Sequence, residues 1–180
     1  MHRKPLLTLL NSYFPRATEE QEYKNRIIQF VEQHERCFER SLDIGHITAS
    51  CWLLNKNGTH ALLTHHAKLN LWMQLGGHCD GDANVLAVAI KEAQEESGIM
   101  GIAPVSSTIF DLDVHLIPAN SREAAHYHYD IRFLLHVTSD ETIVQSPESK
   151  ALSWVGKDKK LLPTQERSVT RMFDKWVEVL

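Results

Sequence analysis

The sequence is poor in cysteine, has no long apolar run and carries no excess of positive charge. Its three cysteines, Cys37, Cys51 and Cys79, are scattered through 180 residues with no C-x-x-C spacing. An odd, scattered set points to free thiols in a reducing cytoplasm rather than a disulfide framework. The apolar patch Leu6–Leu10 behind Arg3 and Lys4 is too short for a membrane span, and no clear signal-peptide cleavage site follows it, so no membrane association is expected. A formal net charge of -4 argues against broad electrostatic binding of nucleic acid. No internal repeat, low-complexity tract or interdomain linker interrupts the chain. With 43% hydrophobic and 23% charged residues, it has the composition of a globular protein with a sizeable core.

What is present concentrates in Gly76–Ile99, GGHCDGDANVLAVAIKEAQEESGI. Leu86, Ala89, Ile90 and Ala93 recur at helical spacing and predict an amphipathic helix. Glu92, Glu95 and Glu96 fall within about 100° of arc beside that stripe. Like charges one turn apart weaken a helix. A run that accepts this at the edge of a buried face invites a bridging cation. Oxygen-only ligands favour Mg²⁺, Mn²⁺ or Ca²⁺ over Zn²⁺. A solvated acidic face is the plainer reading of E-x-x-E-E taken alone. The loop before it adds weight to the first. Gly76 and Gly77 follow the apolar run Leu71–Leu75, read as a buried strand, and permit close backbone approach to a ligand. Strand, glycine loop and helix together present N–H groups to phosphate. Asp82 or Asn84 can cap the helix, and Gly98 suits its left-handed C-cap.

Gly77, five residues, Ala83, seven residues, then Lys91-Glu92-Ala93-Gln94-Glu95-Glu96-Ser97-Gly98-Ile99 resembles the Nudix box, G-x5-E-x7-R-E-U-x-E-E-x-G-U. The resemblance implies an α/β fold, an α/β/α sandwich with a mixed β-sheet. It implies hydrolysis of a phosphoanhydride in a nucleoside diphosphate linked to another group, with Mg²⁺ or Mn²⁺. Glu92, Glu95 and Glu96 become the metal residues, with Glu95 and Glu96 also catalytic. Relatives often add an acidic residue outside the box; Glu148 is the candidate, with Glu141 and Glu123 competing. Three positions depart from the pattern: Ala83 replaces the first glutamate, Lys91 the arginine, and Ala93 the bulky apolar residue. The family's glutamate–arginine brace between loop and helix is therefore missing, and Asp82 is the residue that could partly replace it. An alternative reading is a weakly active or inactive nucleotide-binding regulatory module. A diphosphate isomerase of the same superfamily finds no matching cysteine and histidine motifs.

In chain order, residues 5–14 read as a short helix, and a second runs from Glu19 to about Glu39 with Thr18 and Gln21 as a capping box. Residues 1–42 form a helical extension, packed on the domain or on a second subunit in a homodimer; residues 43–180 form the hydrolase domain. GHITASCWLL (45–54) reads as a strand, Asn57-Gly58 as a hairpin turn, and HALLTHHAK as the returning strand. Asp111, Asp113 and His115 alternate with Leu112, Val114 and Leu116. His126, His128 and Asp130 alternate with Tyr127, Tyr129 and Ile131. The expected register sets Asp113 near His128 and Asp111 near Asp130, on one polar face. That face reads as a hydrogen-bonded network, a substrate floor or a second metal site. Candidate substrate and phosphate contacts are Gly76, Gly77, His78, His126, His128 and Arg132, the last as a phosphate clamp. Cys79 reads as a small space-filler. After Pro163, Thr164 caps a final helix with Val169, Met172, Phe173, Trp176 and Val177 inward.

Overall fold

The computed structural model describes residues 2–121, 124–147 and 149–179. Its elements, in order, are α1 (Lys4–Ser12), α2 (Thr18–Gln33), β1 (Gly45–Leu54), β2 (His60–His66), β3 (Trp72–Met73) and β4 (Leu75–His78). There follow α3 (Val85–Ser97), β5 (Ile102–Pro104), β6 (Asp111–Ile117), β7 (His126–Val137), β8 (Ser149–Gly156) and α4 (Arg167–Val179).

Among the described residues, eight strands form one mixed sheet centred on β1. Every residue of β1 is buried, at the centre of the sheet with both its edges paired. One edge runs parallel to β7, from Gly45 opposite Tyr127 to Leu54 opposite His136. The other is shared between β4, which pairs with Thr48–Cys51, and β2, which pairs with Leu53 and Leu54. Strands β3 and β8 extend the sheet beyond β2, and β5 and β6 line the outer edge of β7.

Alternation along β1 sends its residues to two layers. Ile47, Ala49, Cys51 and Leu53 share a core with Val88, Ala89 and Ala93 of α3 and with Leu6, Ile27 and Phe30 of the N-terminal helices. Phe30 stacks on Tyr129 with ring centroids 3.9 Å apart. On the opposite face, Trp52 and Leu54 pack with Val169, Met172, Phe173 and Trp176 of α4. Each such side chain contributes roughly 1.5–3 kcal/mol relative to exposure. Since α4 covers only one end of this face, the polar half of β1 (His46, Thr48, Ser50) is left to line a site.

Several boundaries differ from expectation. Helix α2 ends at Gln33; His34 is extended, and the turns that follow carry Cys37 and Phe38 into the core. Ala17, not Thr18, is the N-cap of α2, with no side-chain cap bond. The run 71–75 splits into two short strands around Gln74, whose buried amide turns toward Asp130 (3.4 Å) while Leu71 stays exposed. Helix α4 begins at Arg167; Thr164 Oγ1 instead accepts the Glu166 N–H at 3.2 Å, and Val177 is exposed. The α3 caps fall within expectation. Asn84 Oδ1 accepts the Ala87 N–H (3.2 Å), and Gly98 ends the helix at φ 73°, a left-handed conformation that suits glycine.

Candidate active site

A cleft of about 430 Å³ opens where α3, β4 and the uncovered half of the β1–β7 face meet. All three box glutamates line it, but not equivalently. The buried stripe of α3 runs Val85, Val88, Ala89, Ala93, one residue round from the expected centre. Glu92 and Glu96 continue that stripe toward the C-terminus, are half-buried and reach the cleft floor; Glu95 is exposed at the rim. Glu96 Oε1 accepts the Gly76 N–H at 3.1 Å. At Gly77 a Cβ would collide with the Glu92 carboxylate, so the missing side chain is the space that carboxylate occupies. Two carboxylates thus converge on β4, and an oxygen donor set of this kind fits a hard divalent cation.

The box loop is braced, but not through its own departures. Ala83 packs against the core, and Lys91 pairs with Glu95 at 3.5 Å on the exposed side of α3. Asp82 accepts the Asn84 N–H at 2.8 Å within the loop and does not replace the family brace. The bracing group is Arg40, from the turns after α2. Its Nε and Nη2 each lie 2.5 Å from an Asp80 carboxylate oxygen, and the Gly81 N–H donates to Phe38 O at 2.9 Å. The Arg40 hydrogen bond lowers the Asp80 pKa, outweighing its partial burial. Arg40 also lines the cleft.

The floor is the polar face of the sheet, in a register two residues from the expected one. Asp111 pairs with Arg132, Asp113 with Asp130 and His115 with His128. A two-residue slide keeps every side chain on its face, so the polar faces still coincide. The difference decides what Arg132 does. Expected as a phosphate clamp, it is instead fully buried among carboxylates, reaching Asp130 at 2.7 Å, Asp111 at 3.1 Å and Asp113 at 3.3 Å. A guanidinium so enclosed has no face to offer a substrate. Arg171 and Lys175 of α4 complete the cluster, at 2.8 Å and 2.6 Å from Asp111, and Lys175 also meets Glu20 of α2 at 2.8 Å. Burial raises the pKa values of Asp111 and Asp113, but the facing cations outweigh it and hold both below the usual carboxylate range. At the cleft end, Asp130 accepts from Thr48 (2.9 Å), Ser50 (2.7 Å) and Arg132, which fixes it in the floor.

Five histidines crowd the same face. Parallel pairing sets His46 beside His128, antiparallel pairing sets His115 beside His128, and β4 brings His78 opposite Thr48. Ring centroids lie 4.8 Å apart for His46–His128, 5.0 Å for His46–His78 and 5.1 Å for His78–His128. His78 and His128 line the cleft; His126 is buried beside them, its Nδ1 2.8 Å from Ala124 O. Burial, and then the four neighbouring imidazoles, push the His128 pKa down to about 2, so its ring is neutral at physiological pH. His46 escaped the sequence reading, although His46, Thr48 and Ser50 alternate along a strand that was recognised. Glu148 and Glu123 lie outside the described residues. Glu141 accepts the Lys56 N–H at 2.5 Å and is not part of the cleft lining.

The NUDIX domain family model matches residues 45–177. The chain belongs to the NUDIX family. As a member, it is an enzyme of the Nudix pyrophosphohydrolase type. Similar solved structures include a NUDIX-family hydrolase from Clostridium perfringens, 24% identical over 75% of this chain and 98% of that one, with a TM-score of 0.57. An Ap4A hydrolase binary complex from C. elegans is 16% identical, covers 73% of this chain and 95% of that one, and has a TM-score of 0.56. A MutT NUDIX hydrolase from Burkholderia pseudomallei is 21% identical over 73% and 97%, with a TM-score of 0.55. At these identities the likeness is one of fold: the mixed sheet between helices expected from the box. No curated protein matches the sequence. The three cysteines are free and buried, and burial raises the Cys79 thiol pKa, which suits a space-filler rather than a nucleophile. Among the described residues, no helix is long and apolar enough to cross a membrane.

Proposed function

We propose that this chain hydrolyses a phosphoanhydride bond in a nucleoside diphosphate linked to another group, using Mg²⁺ or Mn²⁺. The observation that carries the reading is the convergence of Glu92 and Glu96 on the Gly76–Gly77 backbone in the cleft floor. Glu92 and Glu96 are the residues to hold the ion, with Glu95 beside them at the rim. Bound there, such an ion neutralises phosphate charge and lowers the pKa of a bound water.

The chain's own groups do the rest. The Gly76 N–H orients Glu96 through its hydrogen bond. Arg40, Lys68 and Lys91 line the cleft and place positive charge where phosphates enter. Glu95 is the carboxylate to take the proton from the attacking water, since it is exposed at the rim, where Lys91 pairs with it at 3.5 Å. The asymmetric burial of the three glutamates suits this division, with two holding the ion and one reaching solvent.

A panel of nucleoside triphosphates, dinucleoside polyphosphates, nucleotide sugars, ADP-ribose and NADH, assayed with Mg²⁺ or Mn²⁺, tests the proposal. Dinucleoside polyphosphates belong in it because one similar structure is an Ap4A hydrolase. Metal-dependent product release is expected for at least one class. Glu96→Gln should lower it by about 100-fold or more with an unchanged circular-dichroism spectrum, because glutamine still accepts the Gly76 N–H. Calorimetric binding of nucleotide with no product across the panel, or full turnover in Glu96→Gln, would overturn the assignment.

A further inference from the structure

The carboxylates of α3 are an oxygen-only donor set. On the neighbouring sheet face lies a second set of opposite character. His46 of β1, His78 of β4 and His128 of β7 each bring one ring nitrogen, and these atoms all lie within 4.8 Å of one another. We propose that His46, His78 and His128 bind a borderline transition-metal ion of the Zn²⁺ class, at a site separate from the glutamates.

Three observations carry the inference. The ligands stand on paired strands: His46 is opposite His128 in the β1–β7 register, and His78 is opposite Thr48, two residues along β1 on the same face. Their backbones are therefore fixed relative to one another, as a preorganised site requires. The His128 Nε2 is buried with no hydrogen-bond partner among the described residues. A buried polar nitrogen left in that state costs free energy, and a metal ion relieves it. Finally, the donors are all imidazole. That chemistry selects Zn²⁺ and its neighbours and discriminates against Mg²⁺, the reverse of the α3 site.

Tetrahedral Zn–N bonds of about 2.0–2.1 Å place ligand nitrogens roughly 3.3–3.4 Å apart. Binding therefore requires the three side chains to rotate about their fixed backbones, from nitrogens within 4.8 Å of one another to that spacing. Two further imidazoles flank it. His126 is tethered through Nδ1 to Ala124 O (2.8 Å), and His115 Nδ1 lies 2.9 Å from Asp113 Oδ2. Three protein ligands leave a fourth position open. Because His78 and His128 line the cleft, that position faces the same space as the glutamates and takes water or a phosphate oxygen.

The test uses the full chain without a polyhistidine tag. Zn²⁺ content is measured by mass spectrometry after extensive dialysis, and Co²⁺ is titrated into the metal-free protein while its visible d–d absorption is followed. The same titration is run on His78→Ala, His128→Ala and Glu96→Gln, each checked for folding by circular dichroism. The expected result is one equivalent of Zn²⁺ or Co²⁺ per chain, not displaced by excess Mg²⁺. It should be retained in Glu96→Gln and weakened at least about tenfold in both histidine variants. His78 is only half-buried at the cleft, so its variant is the one best placed to fold. Failure of the wild-type chain to bind one equivalent, or binding by folded His78→Ala and His128→Ala that is as tight as that of the wild-type chain, overturns the proposal. Neither readout depends on turnover, so the hydrolase assignment stands or falls separately.

Discussion

Glu92 owes its position to a residue with no side chain. At Gly77, a Cβ would meet the flexible end of Glu92 rather than backbone. Gly77→Ala should therefore change stability by less than about 1 kcal/mol, while displacing Glu92 and weakening Mn²⁺ binding at least about tenfold. Calorimetric Mn²⁺ titration alongside a thermal melt separates the two effects; unchanged Mn²⁺ affinity would remove Glu92 from the ion site. At the same scale, Arg132 shows how a residue type can mislead. Strand alternation places it on the site-facing side of β7, where a clamp would sit, yet three carboxylates 2.7–3.3 Å away consume its charge. Those carboxylates come from two strands, and only the register sets how many surround it.

At the scale of elements, the box loop is held by the segment between α2 and β1. The family's brace is absent at Ala83 and Lys91, and Arg40 replaces it from outside the box through Asp80 and the cleft lining. Both partners are about half exposed, so the pair itself contributes at most about 1 kcal/mol. Arg40→Ala should thus barely move the melting temperature. It should raise KM for a phosphate-bearing substrate more than it lowers kcat, because the loop loosens and the cleft loses a cation. Steady-state kinetics on the first substrate found reads this directly, and an unchanged KM would confine Arg40 to the surface.

Across the whole molecule, one buried charge cluster ties the N-terminal helices, the sheet and α4 together. Asp111 sits at its centre, facing Arg132, Arg171 and Lys175. Removing one partner of a buried pair leaves an uncompensated charge, so Asp111→Asn should cost about 3–5 kcal/mol, read as a lower urea midpoint. The same cluster sets the acid response. Asp111 and Asp113 have folded-state pKa values below their unfolded values, near 4. Their stabilisation is complete above the unfolded pKa. Below it the unfolded chain binds more protons, so stability falls as the pH drops toward the folded pKa values. Urea midpoints between pH 7 and pH 3 should show this decline, with a shallower slope in Asp111→Asn. A pH-independent midpoint would contradict the ion-pair geometry.

Local pattern was enough for the box helix and its caps, the first hairpin, the two polar strands and the inward face of α4 as far as Trp176. Each depends on contacts within a few residues, which periodicity and turn chemistry report. The polar face of β1 went unread, although His46, Thr48 and Ser50 stand at alternate positions of a recognised strand. Other features depended on distant pairings. The β6–β7 register moved by two residues, a slide that leaves every side chain on its face and is therefore silent in a hydrophobic pattern. Arg171 and Lys175, on the inward side of α4, are buried only because carboxylates from β6 and α2 meet them there. Arg40 reaches the box loop from 40 residues away in the chain. The sequence by itself determined an acidic helix behind a glycine loop. Tertiary structure decided which glutamates face the cleft, which cations remain to line it, and that three histidines from three strands share one face, because those outcomes depend on how α3 packs on the sheet, where the α2–β1 segment folds and how the strands pair.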